Sequence, residues 1–385
     1  MKRRAFNQWT LAAGCTLALP SFANSYNGRT LVILHLKGAN DGLNTLVPYD
    51  SDDYRKLRPN IALSADDVIP IADSANVGPL GLHSELSELA DSVSEDCAVL
   101  TGVGYPSQNR SHFKSAQIWA SGSDGNRMRR QGWVTESVER THDRSVIDLH
   151  GASLSGGLDV FADGAGEYVS MARLNQISGL QAKETAMTGN PLLDLVQQRT
   201  QTLAKASQAL DAKLKRARYL PHRMPHGELS GQLTEALRVI GSDAEIPVLH
   251  VQLDGFDTHE GQVRRHRRLL RELSEALDAF KRNLKSMGKW DQTLVMTYAE
   301  FGRRAAENGS QGTDHGTANT HFVMGGRVKG GVYGQHPRLD RLVDGDMQFG
   351  LDYRAMYHEV AQHWWQDSHA PWAEFQDSEL KGLLV

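Results

Sequence analysis

The sequence predicts an α/β fold in which helices cover both faces of a mostly parallel central sheet. Three observations support this: apolar segments of strand length recur along the chain, helix-length segments separate them, and the composition is that of a globular protein. Of the 385 residues, 40% are hydrophobic and 23% are charged, which excludes disordered, collagen-like and coiled-coil chains. With 42 basic and 46 acidic residues, the chain does not have the basic excess of a nucleic-acid-binding protein.

The first 23 residues have the features of an export signal. Arg3 and Arg4 precede an apolar stretch from Trp9 to Leu19, and a small-residue cleavage pattern ends at Ala23. The arginine pair followed by Phe6 resembles a twin-arginine signal. This predicts the twin-arginine export machinery as a partner and a periplasmic or secreted product; a Sec-type signal is the alternative. The apolar stretch is too short to span a membrane, and we expect no stable span elsewhere.

The chain has two cysteines, Cys15 and Cys97. Cys15 lies inside the signal and weakly resembles a lipidation site, although the usual leucine three positions earlier is absent. Cleavage after Ala23 leaves only Cys97, so we expect no internal disulfide.

Four strands are predicted in the mature chain. Each is a mostly apolar run, as is typical of strands buried on both faces of a parallel sheet. They cover residues 30–36, 97–103, 247–253 and 293–298.

Helices are predicted between these strands. Residues 112–120 are compatible with a helix, and residues 263–287 form a long amphipathic one. Residues 190–241 contain apolar positions, among them Leu195 and Leu203, that suit two or three helices, and we interpret this segment as a helical insertion capping the sheet. We therefore expect one α/β domain over residues 24–385.

Polar residues gather in the loops that follow the four strands. Ligands bind at the carboxyl ends of the strands in open parallel sheets, so these residues are expected to meet in one crevice. Carboxylates and imidazoles are good metal ligands, and the candidates are Asp41, Asp257, His259, Glu300, Asp314 and His315. Asp41 also has an ordinary interpretation as a turn residue, and Asp257 and Glu300 as parts of helix starts; the Asp314-His315 dipeptide alone is of low specificity.

Ser111 opens the helix predicted over residues 112–120. Serine is a favoured N-cap, but a hydroxyl at a helix start near a metal could also attack phosphorus or sulfur. Arg110 could pair with a tetrahedral oxyanion, and His112 could be a ligand or an acid. Ser107 is the rival nucleophile.

Several motifs together resemble a known family, the exported domain of unknown function 1501, which is placed near the alkaline phosphatase/sulfatase superfamily. The motifs include Gly-Ala-Asn-Asp-Gly-Leu-Asn ending at Asn44, Arg-Ser-His-Phe starting at Arg110, and Asp-Thr-His over 257–259. Glu-Phe-Gly-Arg ending at Arg303 and Gly-Thr-Asp-His-Gly over 312–316 complete the resemblance, which covers nearly all of the mature chain.

The resemblance implies a three-layer sandwich like that of alkaline phosphatase. It also implies hydrolysis of phosphate or sulfate esters, with Asp41, Asp257 and His259 as metal ligands and Ser111 as nucleophile. The superfamily often has an Asp-His pair directly after a late strand, whereas this chain has Glu300-Phe301 there and its Asp-His pair later, at Asp314. No Cys-x-Pro-x-Arg motif is present, which disfavours a formylglycine-type sulfatase.

The resulting hypothesis is an exported, metal-dependent hydrolase of a small-molecule or polysaccharide anionic ester. Zinc is the expected metal, with Mg²⁺, Mn²⁺ or Ca²⁺ as alternatives, because a mixed carboxylate and imidazole set does not decide between them. The predicted substrate-binding residues are Asn44, Arg303 and His321. The alternatives are a non-catalytic binding protein, which the Glu300-Phe301 departure favours, and a hydrolase that uses water as its nucleophile.

Overall fold

The computed structural model describes residues 28–171, 188–214, 219–242 and 244–385. The predicted export signal over residues 1–23, including Arg3, Arg4 and Cys15, lies outside the described residues. The side chains of Leu195 and Leu203 also lie outside them.

Strands and helices are interspersed along the described chain, and the last four strands follow one another with no α-helix between them. The strands are β1 (Thr30–Lys37), β2 (Leu46–Val47), β3 (Val68–Ser74), β4 (Gly78–His83), β5 (Cys97–Gly104), β6 (Gly151–Ser153), β7 (Tyr168–Ser170), β8 (Val248–Asp254), β9 (Thr293–Tyr298), β10 (Asn319–Gly325), β11 (Gly331–Tyr333) and β12 (Leu351–Asp352). The α-helices are α1 (Asp52–Leu57), α2 (Ser87–Ala90), α3 (His112–Ser121), α4 (Trp133–Thr141), α5 (Pro191–Leu214), α6 (Glu228–Ile240), α7 (Gln262–Ser286) and α8 (Tyr353–Glu359). The four predicted strands are confirmed as β1, β5, β8 and β9, and the two helices predicted over 112–120 and 263–287 are confirmed as α3 and α7.

The main sheet of the described residues has nine strands. Its order is β11-β5-β10-β9-β1-β8-β6-β7, and β12 also pairs with β5. Strand β1 is parallel to both β8 and β9. Strand β10 is antiparallel to both β5 and β9, so β5 runs in the same direction as β9. The carboxyl ends of β1, β5, β8 and β9 therefore lie at one edge of the sheet.

Alternating side chains of β1 face two separate apolar cores. Leu31 and Ile33 contribute to the core that contains buried residues of α3, α4 and α8. Val32, Leu34 and Leu36 contribute to the core that contains buried residues of α2, α6 and α7. Each fully buried aliphatic side chain stabilises the fold by about 1.5–3 kcal/mol. Helices thus cover both faces of a mostly parallel sheet, which confirms the predicted three-layer α/β architecture.

Two further features complete the architecture. Strands β2, β4 and β3 form a small antiparallel sheet. Helices α5 and α6 occupy the segment predicted as a helical insertion, and α6 packs on α7 and β8. The division of residues 24–385 into one domain with an insertion at 190–241 stays a prediction. None of the helices that the structure describes combines the length and apolar character needed to cross a bilayer.

Candidate metal centre

Close approach of the strand-end loops places the candidate residues together. Gly38, directly after β1, has φ +102°, and a Cβ atom there would lie 2.4 Å from the backbone nitrogen of Asp257 in the loop after β8. A Cβ atom on Gly312 would similarly lie 2.2 Å from the carbonyl carbon of His259. Glycine is therefore required at both positions, and the loops after β1, β8 and β9 pack backbone to backbone.

The Nε2 atoms of two histidines lie close to the Nε2 atom of a third. His315 Nε2 lies 3.1 Å from His112 Nε2 and 2.9 Å from His259 Nε2. Helix α3 supplies His112, the loop after β8 supplies His259, and the loop between β9 and β10 supplies His315. Residues distant in sequence thus meet at the strand-end edge of the sheet.

The other ring nitrogen of each histidine contacts an oxygen atom. His112 Nδ1 is 3.3 Å from Glu300 Oε1, and His259 Nδ1 is 3.1 Å from Asp314 Oδ1. His315 Nδ1 is 2.8 Å from the carbonyl oxygen of Arg110. Carboxylate and carbonyl oxygens only accept hydrogen bonds, so each Nδ1 carries the proton. In the neutral imidazoles the Nε2 lone pairs of His112 and His259 then lie close to that of His315, and they repel unless a metal ion or a proton lies between them.

Asp257 adds a carboxylate to the three imidazoles. Its Oδ1 lies 3.2 Å from His315 Nε2 and 3.1 Å from His259 Nε2, and its Oδ2 lies 3.6 Å from His112 Nε2. Ligand atoms bound tetrahedrally to zinc at its usual bond lengths are about 3.3 Å apart. The spacing of these atoms and their chemistry both fit a bound divalent ion. The ligand atoms of His112, Asp257 and His315 all lie within 4.8 Å of one another.

The surrounding groups set the protonation states of this cluster. The hydrogen bond from His112 to Glu300 raises the pKa of His112 against the opposing effect of burial. Burial lowers the pKa of His315. Burial alone would raise the pKa of Asp257, but the Arg303 guanidinium outweighs it and the pKa is lowered. Asp257 is therefore ionised at neutral pH, as a metal ligand must be.

Glu300, predicted as a metal ligand, instead contacts the Nδ1 atom of His112, on the side of the ring that faces away from the other imidazoles. Its side chain is buried, and its oxygens accept hydrogen bonds from Gly38 N at 3.2 Å and Ala39 N at 3.1 Å. Its Oε2 is also 3.3 Å from His35 Nε2. Burial would raise its pKa, but His35 and the hydrogen bond to His112 lower it. Glu300 is thus an ionised residue that orients His112, a role that carboxylates often fill around metal-binding histidines.

Asp314 likewise contacts a histidine from outside the cluster. Besides His259, its Oδ1 accepts a hydrogen bond from Asn308 Nδ2 at 3.2 Å. Asn308 Nδ2 also donates to the carbonyl oxygen of His259, at 2.9 Å. Asn308 therefore fixes both members of the Asp314–His259 pair.

Arg303, predicted to bind substrate, is instead fully buried and holds the strand-end loops together. Its Nε donates to Ala39 O at 2.8 Å and one terminal nitrogen donates to Thr313 O at 2.9 Å. The other terminal nitrogen contacts Gly38 O, Phe256 O at 3.1 Å and Asp257 Oδ1 at 2.6 Å. No exposed part of the guanidinium is left for a substrate.

Asp41 and Asn44 were predicted as a metal ligand and a substrate contact, and the structure does not bring them into the cluster. Asp41 is fully buried and forms a bidentate ion pair with Arg58, with N–O distances of 2.6 and 3.0 Å. It also accepts a hydrogen bond from Leu43 N at 3.2 Å, the turn contact named as its alternative. Asn44 accepts hydrogen bonds from Arg58 and from the Tyr54 hydroxyl, at 2.6 and 2.7 Å. Both side chains support the fold.

His321 is also placed away from the cluster. It lies in β10, is fully buried, and packs edge-on against Trp119 with ring centroids 5.3 Å apart. Burial lowers its pKa to about 3. A neutral imidazole among core aromatics does not contact substrate at the strand-end edge.

The predicted nucleophile Ser111 lies at the rim of the cluster, between Arg110 and His112. It precedes α3 with extended backbone angles, but its side chain makes no capping hydrogen bond. The Arg110 guanidinium is paired with the buried carboxylate of Asp346. Ser107, the rival nucleophile, donates a hydrogen bond to Asn126 Oδ1 at 2.8 Å. Of the two serines, Ser111 is the more exposed residue and directly precedes His112 in the sequence.

Three residues that hold side chains of the cluster or its rim in place were not predicted from the sequence, namely His35, Asn308 and Asp346. His35 could have been identified, because it is a polar residue near the end of a mostly apolar strand. Asn308 and Asp346 lie in long polar loops, where nothing in the sequence distinguishes them from their neighbours.

Several solved structures resemble this chain at low identity. The lipoteichoic acid synthase LtaP of Listeria monocytogenes is 10% identical, with coverage of 84% of this chain and 74% of that chain and a TM-score of 0.32. The C-terminal periplasmic domain of EptC from Escherichia coli, solved in complex with Zn, is 8% identical, with coverage of 77% and 72% and a TM-score of 0.34. An alkaline phosphatase superfamily protein of Vibrio parahaemolyticus is 10% identical, with coverage of 81% and 64% and a TM-score of 0.36.

The sequence itself matches one family. No curated protein matches it. The family described as protein of unknown function DUF1501 matches residues 101–371. This region contains all the histidines of the cluster and Asp257. It covers well over half of the chain, and the protein therefore belongs to the DUF1501 family.

Proposed function

We propose that this protein is an exported, zinc-dependent hydrolase of phosphate or sulfate esters, with the metal held by His112, His259, His315 and Asp257. The observation that carries the proposal is that His315 Nε2 lies 2.9 Å from His259 Nε2 and 3.1 Å from His112 Nε2 while an oxygen atom orients each Nδ1. With all three imidazoles neutral, such an arrangement is favourable only when a cation lies among the Nε2 atoms.

The donor set favours zinc over the alternatives. Imidazole nitrogen suits Zn²⁺ and other transition metals, whereas Mg²⁺ and Ca²⁺ are bound mainly by oxygen. Three nitrogens and one carboxylate match the tetrahedral preference of Zn²⁺. We therefore expect Mg²⁺ and Ca²⁺ to bind weakly.

The residues around the cluster fit ester hydrolysis. A bound divalent ion supplies Lewis acidity, which polarises an ester oxygen and favours a deprotonated nucleophile. Ser111 is the proposed nucleophile, and the backbone N–H groups at the start of α3 favour the negative charge of the transferred group. Arg110, anchored by Asp346, would pair with the same group.

A non-catalytic metal-binding protein is the second candidate. Four protein ligands around one ion are typical of structural zinc sites, whereas catalytic sites keep a position open. Hydrolysis therefore requires that Asp257, which Arg303 also holds at 2.6 Å, leave room for substrate. This requirement is the point on which the two candidates differ.

Metal analysis and ester hydrolysis test the proposal. The chain from residue 24 is purified, its metal content is measured, and aryl phosphate, phosphodiester and aryl sulfate substrates are screened. We expect about one zinc per chain, lost in His315→Ala and kept in His363→Ala, a half-exposed histidine paired with Glu359.

The outcomes separate the mechanisms. Loss of activity in a metal-loaded Ser111→Ala variant supports the serine nucleophile, and retained activity supports water in its place. Bound zinc without turnover supports the binding protein, and failure to bind zinc contradicts the whole proposal. Cell fractionation of the full-length chain tests export, which the twin-arginine-type signal over residues 1–23 predicts.

A further inference from the structure

A buried glutamine joins two of the loops that carry the candidate metal ligands. Gln262 is the first residue of α7, and it is fully buried. We propose that Gln262 is a positioning residue, which sets the distance between His259 and His315 by holding their loops together. The proposal rests on the proposed function, since it concerns how the same site is kept ready for its metal. The evidence is the hydrogen bonding of one side-chain amide.

One oxygen atom of Gln262 contacts both loops. Its Oε1 accepts hydrogen bonds from Thr258 Oγ1 at 3.0 Å and from Thr313 Oγ1 at 2.6 Å. A carbonyl oxygen has two lone pairs, so the two hydroxyls saturate this acceptor. Thr258 directly precedes His259 in the sequence, and Thr313 lies two residues before His315. Both loops are therefore fastened to the same atom, each within two residues of a candidate ligand.

The orientation of the amide is fixed from its other end. Gln262 Nε2 donates a hydrogen bond to Asp41 Oδ2. Burial alone would raise the pKa of Asp41, but the Arg58 guanidinium outweighs it and the pKa is lowered. A carboxylate has no proton to donate, so the amide nitrogen must face Asp41 and the amide oxygen must face the threonines. The chain of hydrogen bonds thus ends on the buried Asp41–Arg58 ion pair rather than in solvent.

Burial makes these hydrogen bonds costly to lose. Thr258, Gln262 and Thr313 are all 0% exposed, so removal of the hydroxyls leaves the glutamine oxygen buried and unpaired, which is unfavourable. The backbone brings the same loops together, since Thr313 N donates to Thr258 O at 3.1 Å. His259 Nε2 and His315 Nε2 are only 2.9 Å apart, so a small relative shift of the two loops changes the spacing of the candidate ligands directly.

Paired substitutions of the two threonines test the proposal. Thr258→Val/Thr313→Val keeps the shape of both side chains and removes the hydroxyls, whereas Thr258→Ser/Thr313→Ser keeps the hydroxyls and removes a methyl group from each. We expect zinc affinity, measured by chelator competition, to fall about tenfold or more in the valine variant. The serine variant should stay within about threefold of wild type. A role in packing alone predicts the opposite order, because only the serine variant leaves cavities.

A threonine in another part of the fold provides the matched control. Thr135 lies in α4, is fully buried, and its hydroxyl donates to Gly132 O at 2.8 Å and Ala162 O at 3.3 Å. Neither acceptor belongs to the ligand loops, so Thr135→Val should leave zinc affinity unchanged. Gln262→Met keeps the length of the side chain but lacks the amide, and it should lower zinc affinity at least as much as the paired valine variant.

Amide hydrogen exchange of the metal-free chain measures the loop contact without zinc. The Thr313 amide, which donates to Thr258 O, should exchange about tenfold faster in the valine variant and at nearly the wild-type rate in the serine variant. Zinc affinity of the valine variant within twofold of wild type, or equal losses in both paired variants, overturns the proposal. A wild-type chain that binds no zinc contradicts the proposed function instead. The exchange rates then decide whether Gln262 joins the two loops, and equal rates in wild type and the valine variant show that it does not.

Discussion

Replacing Glu300 with glutamine tests whether this residue orients a metal ligand. Glu300 Oε1 lies 3.3 Å from His112 Nδ1, and the carboxylate also accepts hydrogen bonds from Gly38 N and Ala39 N. Glutamine keeps the shape but removes the negative charge and replaces one acceptor with an NH₂ group. Loss of such an outer partner lowers metal affinity about 10–100-fold, which corresponds to about 1.4–2.7 kcal/mol.

Zinc affinity by chelator competition and stability of the metal-free chain in urea measure the two consequences separately. Because the NH₂ group opposes backbone N–H donors in a buried position, we also expect a loss of about 1–3 kcal/mol in the free energy of unfolding. Glu359→Gln is the control, since Glu359 is also buried but its imidazole neighbours are His363 and His358, which lie outside the cluster. A zinc affinity of Glu300→Gln within twofold of wild type would refute the orienting role.

Three further predictions follow from the buried and charged groups. Asp41→Asn breaks the buried pair with Arg58 and should cost about 3–5 kcal/mol of unfolding free energy in urea, with unchanged zinc affinity; a tenfold loss of affinity at unchanged stability would restore Asp41 as a ligand. Hydrogen bonds and charges from Arg271 and Arg267 lower the pKa of Glu85 from 4.5 to about 2. The contribution of Glu85 to folding stability is therefore present above pH 4.5 and is lost as pH falls from about 4.5 to about 2. Thermal unfolding midpoints of Glu85→Gln should accordingly fall less steeply than wild type over that interval, and parallel curves would contradict this. Burial raises the pKa of Cys97 to about 12, so a thiol reagent at pH 8 should label the chain from residue 24 only after unfolding, and rapid labelling of the native chain would show that the thiol is accessible.

The strand-end rule predicted that Asp257, His259 and His315 would gather in one crevice, because the carboxyl ends of parallel strands share one edge of a sheet. The structure places these three side chains in contact with one another, and their role as metal ligands stays a prediction. The rule also placed His112 nearby, as either a ligand or an acid. Runs of hydrophobic residues were sufficient to predict strands β1, β5, β8 and β9, because each of these strands is buried on both faces of the sheet.

The sequence could not show whether each polar residue belongs to the candidate ligand set, orients a candidate ligand or stabilises the fold. Asp41 follows β1 as a metal ligand would, but its partner Arg58 comes from the segment after α1, and only the folded chain brings the two together. Arg303 is in a charged motif typical of an exposed site, yet backbone carbonyls of three loops surround it. Long-range partners of this kind leave no periodic pattern in a sequence.

The reversed strand β10 was also not predicted. Its residues include His321, which in the sequence looked like part of the polar cluster near Asp314. In the fold, β10 carries the chain from that edge back into the middle of the sheet, so His321 enters the aromatic core. The direction of a strand is set by its pairing partners, which hydrophobicity alone does not specify.

Arg303 has a consequence for the order of assembly. Its guanidinium ties the loops after β1, β8 and β9 to one another through contacts that involve protein atoms only. The scaffold around the candidate metal centre is therefore held by contacts within the folded polypeptide itself. For the proposed metal, we expect loading to follow folding as a separate step.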